Sequence, residues 1–471
     1  MSAANSQLNS RRNSIHASIS TPQTPVSNPF SNPFTSPTRL SRTASQDERR
    51  PYSYFPAVSG VHIPRQRKFK SARFKGGEYE KPWTEIPEPR KKWEKIIFWA
   101  SIAIGFALGG LICFVSISSI ANHSYCLLME DNFQTIDTNF WSYEIQRGGF
   151  GSGSFEWTTD DPKNAYVDGE GLHIVPTFTT ESTDITLEQL TDNYVLNLTT
   201  DGVCTAQEID SCSVRSNITA GTIINPVRSA RLSTKGKKSL RYGKVEVVAK
   251  MPRGDWLWPA IWMMPEADVY GKWPRSGEID IAESRGNSGD TYTDGRDSLI
   301  GALHWGPVSE KDAFYKTSGK HNLRRTDYSE AFHTFGLEWS ENYLFTYIDS
   351  RLLQVFFVKF NLHYDNMWER GGFGKATLNN SALFDPWSQT GRANTPFDQN
   401  FFLILNVAVG GTNGFFKDGV GNKPWGDASL TAPKEFWDAQ AQWAQTWGPG
   451  DTRGMTVKSV KMWTEGTCGS A

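Results

Sequence analysis

Whole-chain charge is almost absent from this sequence. Lys and Arg number 49, Asp and Glu number 50, and the formal net charge is −1. That balance excludes a whole-molecule electrostatic argument for a nucleic-acid partner. Cysteine is scarce: Cys113, Cys126, Cys204, Cys212 and Cys468 are all there are. None belongs to a Cys-X-X-Cys or His/Cys cluster, so the usual zinc patterns are excluded. Long amphipathic helical periodicity is missing after about residue 127, which argues against a helical bundle. No internal repeat is found, which excludes solenoid architectures. Basic residues are also missing over a long interval, from Lys95 to Arg147.

That interval opens on Ile96–Ile120, IIFWASIAIGFALGGLICFVSISSI, which carries no charge. At about 1.5 Å per residue it spans a hydrocarbon core of roughly 30 Å. A soluble core helix rarely stays apolar on every face for so long. Trp93 and Trp99 lie near its start, where interfacial aromatics are expected. The segment begins too late for a cleavable signal peptide and is read as a signal anchor at 96–120. Arg90, Lys91, Lys92 and Lys95 precede it, so the positive-inside rule puts the N-terminus in the cytosol. The expected topology is a single-pass type II membrane protein, with the lipid bilayer as one partner. The globular part then lies in the lumen of the secretory pathway or outside the cell.

Residues 1–92 are rich in Ser, Thr, Pro, Asn and Arg without sustained periodicity, and are expected to form a disordered cytosolic tail. Asn28-Pro29-Phe30 and Asn32-Pro33-Phe34 resemble the tripeptide that Eps15-homology-domain proteins read; coincidence in a Pro/Asn-rich tail is the alternative. Beyond the apolar run, Asn122, Asn197, Asn217 and Asn379 each begin an Asn-X-Ser/Thr sequon and agree with a lumenal domain. Cys113 falls inside the apolar run. The other four cysteines follow it, as suits a disulfide-permitting compartment. Four cysteines allow three connectivities. Cys204 with Cys212 would close a short loop, and Cys126 with Cys468 would tie the domain's ends.

From 127 to 468 short β-type runs alternate with Gly, Asn, Asp and Pro. In Arg241–Lys250, Val245, Val247 and Ala249 alternate with Lys244, Glu246 and Lys250, predicting a strand with one buried face. His333, Phe335, Leu337 and Trp339 do likewise, and Ser340-Glu341-Asn342 reads as a turn into the next strand. Phe401–Val409 is nearly continuously apolar, as an inner strand would be. The fold class expected is all-β, a sandwich or jelly roll.

The chemistry concentrates in GEIDIAE, Gly277–Glu283. Strand alternation puts Glu278 and Asp280 on one face and Glu283 on the other. One bulged residue after Asp280 would return Glu283 to the same face, with Ile279 and Ile281 anchoring the opposite side. Crowded acids raise one another's pKa values, so one is ionised while another keeps its proton. Retaining glycosidases use that division, with carboxyl groups about 5–5.5 Å apart. A calcium site or a solvated acidic edge is the alternative; otherwise no cofactor or metal is implied.

GEIDIAES resembles the Glu-X-Asp-X-X-Glu signature of glycoside hydrolase family 16, in its laminarinase-like, bulged form. The resemblance extends through SARLSTKGKKSLRYGKVEVVAKMPRGDWLWPAIWMMP (Ser229–Pro265), YGKWPRSGEIDIAESRGN (Tyr270–Asn287), ALHWG (Ala302–Gly306), FHTFGLEW (Phe332–Trp339) and LNVAVGGTNGFF (Leu405–Phe416). It implies a concanavalin A-like β-jelly-roll sandwich of two antiparallel sheets, preceded here by the transmembrane helix and the tail. It implies retaining hydrolysis of β-1,3- or mixed β-1,3/1,4-glucan. Glu278 matches the nucleophile, Glu283 the general acid/base, and Asp280 the proton-holding residue between them. Trp258, Trp262, Trp273, His304 and Trp305 are the expected substrate-binding residues, with core packing as the alternative for each Trp. Asn225 and Asn406 are further cleft candidates; Arg275 and Arg285 flank the acids and could pair with a carboxylate, with the commoner exposed structural role as the alternative. Ala282 departs from the larger apolar residue, often Met, that many relatives carry.

The leading expectation is a membrane-anchored endo-β-1,3(4)-glucanase or transglycosylase acting on cell-wall β-glucan, in the setting of a walled fungus. The alternative is a non-catalytic β-glucan-recognition protein on the same scaffold.

Overall fold

The computed structural model describes residues 76–77, 80–85, 88–118, 123–360 and 366–468. The two NPF motifs, Asn122 and the last two residues of the expected span, Ser119 and Ile120, lie outside these. A 29-residue helix runs Arg90–Ser118, about 44 Å long at 1.5 Å per residue. It is long and apolar enough to cross a membrane by length and composition, and none of its side chains is buried. It starts ahead of the apolar run because Arg, Lys, Trp and Glu at 90–95 are all compatible with helix. Together with a helical turn at Pro82–Glu85, this puts structure inside the segment expected to be disordered.

The remainder is a sandwich of two antiparallel sheets, as expected. The front sheet runs, strand by strand, Ser318–Asn322, Ser298–His304, Glu278–Ser284, Leu257–Pro265, Phe401–Val409, Arg231–Ser233 and Ser142–Tyr143. Ser239–Leu240 also pairs with Phe401–Val409. The back sheet runs Ser350–Lys359, Tyr343–Ile348, His333–Trp339, Gly243–Lys250, Met455–Glu465, Gly171–Ile174 and Ala165–Asp168. Tyr125–Asp131 also pairs with Met455–Glu465. Among the described residues after 123, the longest helix is Ala432–Asp438, of 7 residues.

The alternation read from the sequence sets these layers. Val245, Val247 and Ala249 are fully buried while Lys244, Glu246 and Lys250 are not. Phe335, Leu337 and Trp339 face the same core, and Ser340 closes the turn by donating its N–H to Tyr343 O. Every residue of Phe401–Val409 is buried, because the strand is paired on both edges and covered on both faces. The layers meet through contacts such as Trp339 on Phe401, with ring centroids 5.5 Å apart. Each large apolar side chain so buried stabilises the sandwich by about 1.5–3 kcal/mol. The small-sheet pairing of Glu156–Thr158 with Val227–Ser229 is parallel, an element the sequence reading did not anticipate.

Of the three cysteine connectivities, one is present. Cys126 joins Cys468 with Cα atoms 5.3 Å apart, and Cys204 joins Cys212 at 5.8 Å. Cys113 is free. Of the sequon asparagines, Asn217 and Asn379 are exposed and Asn197 is half-buried.

Candidate active site

The acids lie on Glu278–Ser284, between Leu257–Pro265 and Ser298–His304. Gly277 leads into the strand at φ 84°, and a Cβ there would stand 3.0 Å from the Phe397 ring. Only glycine adopts that turn readily. The bulge is present. Trp262 pairs with Asp280 but Ile261 pairs with Ala282, which leaves Ile281 as the extra residue. On the other edge Asp280 pairs with Ala302 and Glu283 with Ile300, the same shift. Ile279, Ile281 and Ala282 are all buried in the core. Two consecutive inward residues, one of them the small Ala282, are the local cost of returning Glu283 to the face of Glu278 and Asp280.

Indole and imidazole groups hold the acids. Trp273 Nε1 donates to Glu278 Oε2 at 2.7 Å, and Trp258 Nε1 donates to Glu283 Oε1 at 2.8 Å. Asp280 is 1% exposed. Its Oδ2 lies 3.2 Å from His304 Nε2, an ion-pair distance outside hydrogen-bond alignment. Burial first, then the charges of Glu278 and Glu283, hold the Asp280 carboxyl well above its ordinary range. Burial also raises Glu283. Glu278 adds to that rise, while His304 and the Trp258 N–H oppose it. For His304, burial alone favours the neutral ring, but Asp280, Glu278 and Asp312 outweigh it and hold it well above the ordinary imidazole value. Asp280, Glu283 and His304 therefore keep their protons to a higher pH than they would as isolated side chains. Acids pushed apart in this way can divide donor and acceptor roles near neutral pH.

The expected substrate residues separate into three kinds. Trp273 is 40% exposed beside Glu278 and leaves ring surface open. Trp262 is half-buried; its Nε1 donates to Asn406 Oδ1 at 2.7 Å, and the Arg231 guanidinium lies 4.7 Å from its ring centroid. Trp258 is not an open platform, because Phe415 stacks on it at 4.0 Å and 8°. Trp305 corrects the expectation: it is 0% exposed, bonds Thr317 Oγ1 and packs on Phe373 and Trp387. It follows His304 directly, so alternation turns it to the core.

Asn406 is near the acids, opposite Ala260, which itself pairs with Glu283. Asn225 is not a cleft residue; it is buried with Nδ2 on Phe155 O and Glu156 O. Arg275 and Arg285 spend their hydrogen bonds on carbonyls, Arg275 on Pro307 and Arg285 on Phe415 and Asp294. Four site residues were missed. Asp312 and Phe314 contact His304 from the following loop, at 2.5 Å and with stacked rings 5.0 Å apart. Phe415 backs Trp258. Arg231, ion-paired with Glu144, lies between Trp262 and Phe150. Loop residues carry no periodicity, and only the basic charge of Arg231 within its strand was a signal.

Two sets of His/Asp/Glu ligand atoms among the described residues lie within 4.8 Å of one another: Glu278, Asp280, His304 and Asp168, His173, Asp451. In each, both imidazole nitrogens face carboxylates: His304 those of Asp280 and Asp312, His173 those of Asp168 and Asp451.

Residues 177–364 match the sequence profile described as Glycosyl hydrolases family 16. The chain is similar to a beta-1,3-glucan-binding protein of Penaeus monodon, 40% identical over 349 residues, covering 72% of this chain and 90% of that protein. It is similar to a glucan endo-1,3-beta-glucosidase of Cryptopygus antarcticus, 36% identical over 194 residues, covering 41% of this chain and 59% of that protein. Among solved structures, the laminarinase of Rhodothermus marinus is 23% identical with a TM-score of 0.44, covering 74% of this chain and 100% of that one. The matched segment holds the bulged strand and its three acids, and the chain belongs to glycoside hydrolase family 16.

Proposed function

We propose that this chain is a retaining endo-β-1,3(4)-glucanase or transglycosylase, anchored in a membrane and acting on cell-wall β-glucan. The observation that carries the reading is the bulge at Ile281, which aligns all three carboxylates on one face. Glu283, its proton retained by burial, protonates the glycosidic oxygen of the leaving sugar. Glu278 attacks the anomeric carbon, and the bond to that oxygen breaks. Glu283, now ionised, takes a proton from water or a sugar hydroxyl, whose oxygen displaces Glu278 and restores the configuration. Asp280 holds a proton beside Glu278, and Trp262 and Trp273 offer ring faces to glucose C–H surfaces. The reaction draws on no cofactor.

The test is reducing-sugar release and product analysis on laminarin and mixed-linkage oligosaccharides, using the detergent-purified full chain and Glu278→Gln. Cleavage or transfer lost in the variant is expected. Laminarin binding without turnover by the wild type would instead support a β-glucan-recognition protein. Similarity to the beta-1,3-glucan-binding protein of Penaeus monodon favours that second reading.

The Arg90–Ser118 helix is proposed to cross the bilayer as a signal anchor, with the tail and its NPF motifs facing cytosolic partners. The basic residues at its start and the exposed Asn217 and Asn379 support this. Endoglycosidase treatment of the chain made in a eukaryotic cell should increase its mobility. The increase should disappear when Asn122, Asn197, Asn217 and Asn379 are together changed to Gln. An untreated chain of unglycosylated mobility would overturn the topology.

A further inference from the structure

We infer that Asp312 is a positioning residue of the acid cluster: it fixes the His304 ring through Nδ1 and so sets how that ring faces Asp280 and Glu278. The inference rests on the reading of Glu278 as the nucleophile, and it adds a residue outside the signature.

The geometry is specific. Asp312 Oδ1 accepts the backbone N–H groups of Trp305 at 3.1 Å and Phe314 at 3.2 Å, which fixes the carboxylate. Its Oδ2 is then aimed at His304 Nδ1, 2.5 Å away. The opposite ring nitrogen, Nε2, lies 3.2 Å from Asp280 Oδ2. Phe314 stacks on the ring at 18°, and Trp273 stands 6.0 Å from it. The fixed Asp312 carboxylate calls for a proton on Nδ1, and the acids facing Nε2 favour a second proton there. The Asp312 side chain is 11% exposed and that of Asp280 is 2%, so water screens neither contact well.

The charged groups that act most strongly on His304 are acidic. Glu278, Asp280 and, farther off, Glu283 face it from the neighbouring strand, and Asp312 from the following loop. Arg275 and Lys316 are close in sequence to these elements, but they donate to carbonyls, Arg275 to Pro307 and Lys316 to Arg370 and Gly371. The imidazolium is therefore the cation nearest Asp280 and Glu278, while the Arg285 guanidinium acts on Glu283. Without it, Glu278 and Asp280 would lose their nearest opposing charge.

Asp312→Asn tests this with little disturbance of the loop. The amide oxygen still accepts from Trp305 and Phe314, while its NH2 now points at Nδ1. Nδ1 must then be an acceptor, and the ring is neutral. The comparison is made on the detergent-purified full chain, by pH–rate profiles on laminarin and by ¹⁵N imidazole NMR, with His304→Gln assigning the signal. The His304 titration should fall by about one pH unit or more, and the pH profile of kcat/KM should shift with it. Turnover should drop about tenfold or more with KM nearly constant, and Asp312→Glu should restore part of it. Lost activity with an unchanged pH profile and unchanged His304 titration would mark Asp312 as merely structural and overturn the inference. If the wild type proves inactive on laminarin, the catalytic reading fails separately. The NMR titration then decides alone: a fall in Asp312→Asn supports the Asp312–His304 coupling, and no fall overturns it.

Discussion

On the outward face of the back sheet Glu338 is buried as deeply as Asp280 is on the front sheet, each 1% exposed, yet their surroundings differ. Glu338 Oε1 accepts from Arg351 at 2.6 Å and from the Tyr343 hydroxyl at 2.8 Å. One strand away, Glu246 pairs with Lys244 at 2.6 Å and accepts from the Tyr347 hydroxyl. Burial pushes the Glu246 carboxyl up, but Lys244 and Tyr347 outweigh it, so its net shift is downward. On the front sheet three acids share one imidazole and two indole N–H groups, and Asp280 and Glu283 shift upward. Both faces arise from the same alternation of inward and outward residues. The back face compensates each acid with a cation and a phenol, as stability favours. The front face sets three acids around one shared imidazole, which is how a site built for proton transfer differs from a structural one.

The strongest challenge to this contrast is Glu278→Gln. It should reduce laminarin turnover by about a thousandfold or more, while the melting temperature holds or rises because repulsion is relieved. A large loss of stability would place Glu278 with the compensated acids. The counterpart on the back face is Glu338→Ala, which leaves the Tyr343 hydroxyl unpaired and should cost about 1–3 kcal/mol in denaturant unfolding. Its kcat/KM on laminarin should stay within about twofold of wild type; a larger fall would mean the two faces are coupled. The smallest effect is in the pH dependence. A folded carboxyl with a raised pKa binds more protons than its unfolded form, so its contribution is full below the ordinary carboxyl range. It is lost as pH rises toward the raised value. Melting temperatures followed upward from about pH 4 should therefore decline in the wild type and decline less in Asp280→Asn. Glu246, shifted downward, contributes in the opposite sense: stability present above the ordinary range and lost as pH falls through its folded pKa.

Much of this contrast was legible in the residues. The alternation of Val245, Val247 and Ala249 set the buried side of one back strand, and the spacing of Glu278, Asp280 and Glu283 demanded a bulge that is present. What was not legible depends on where a strand stops and what a distant loop covers. Trp305 sits one residue beyond the end of Ser298–His304, where continued alternation from His304 turns it to the core although the strand has stopped. Trp258 looked like a platform until Phe415, far along the chain, stacked over it. Asp312 and Phe314 act on His304 through a short loop whose path no periodic pattern encodes.

The bond between Cys126 and Cys468, separated by 342 positions, closes nearly the whole sandwich into one covalent ring. A protease that cuts once between those cysteines opens the ring without dividing it. Both pieces stay attached to the helix at Arg90–Ser118, and the bulged strand with its three acids is retained whichever side of the cut it falls on. Release of the domain as a free fragment then takes either a cut upstream of Cys126 or a reductant acting together with an internal cut.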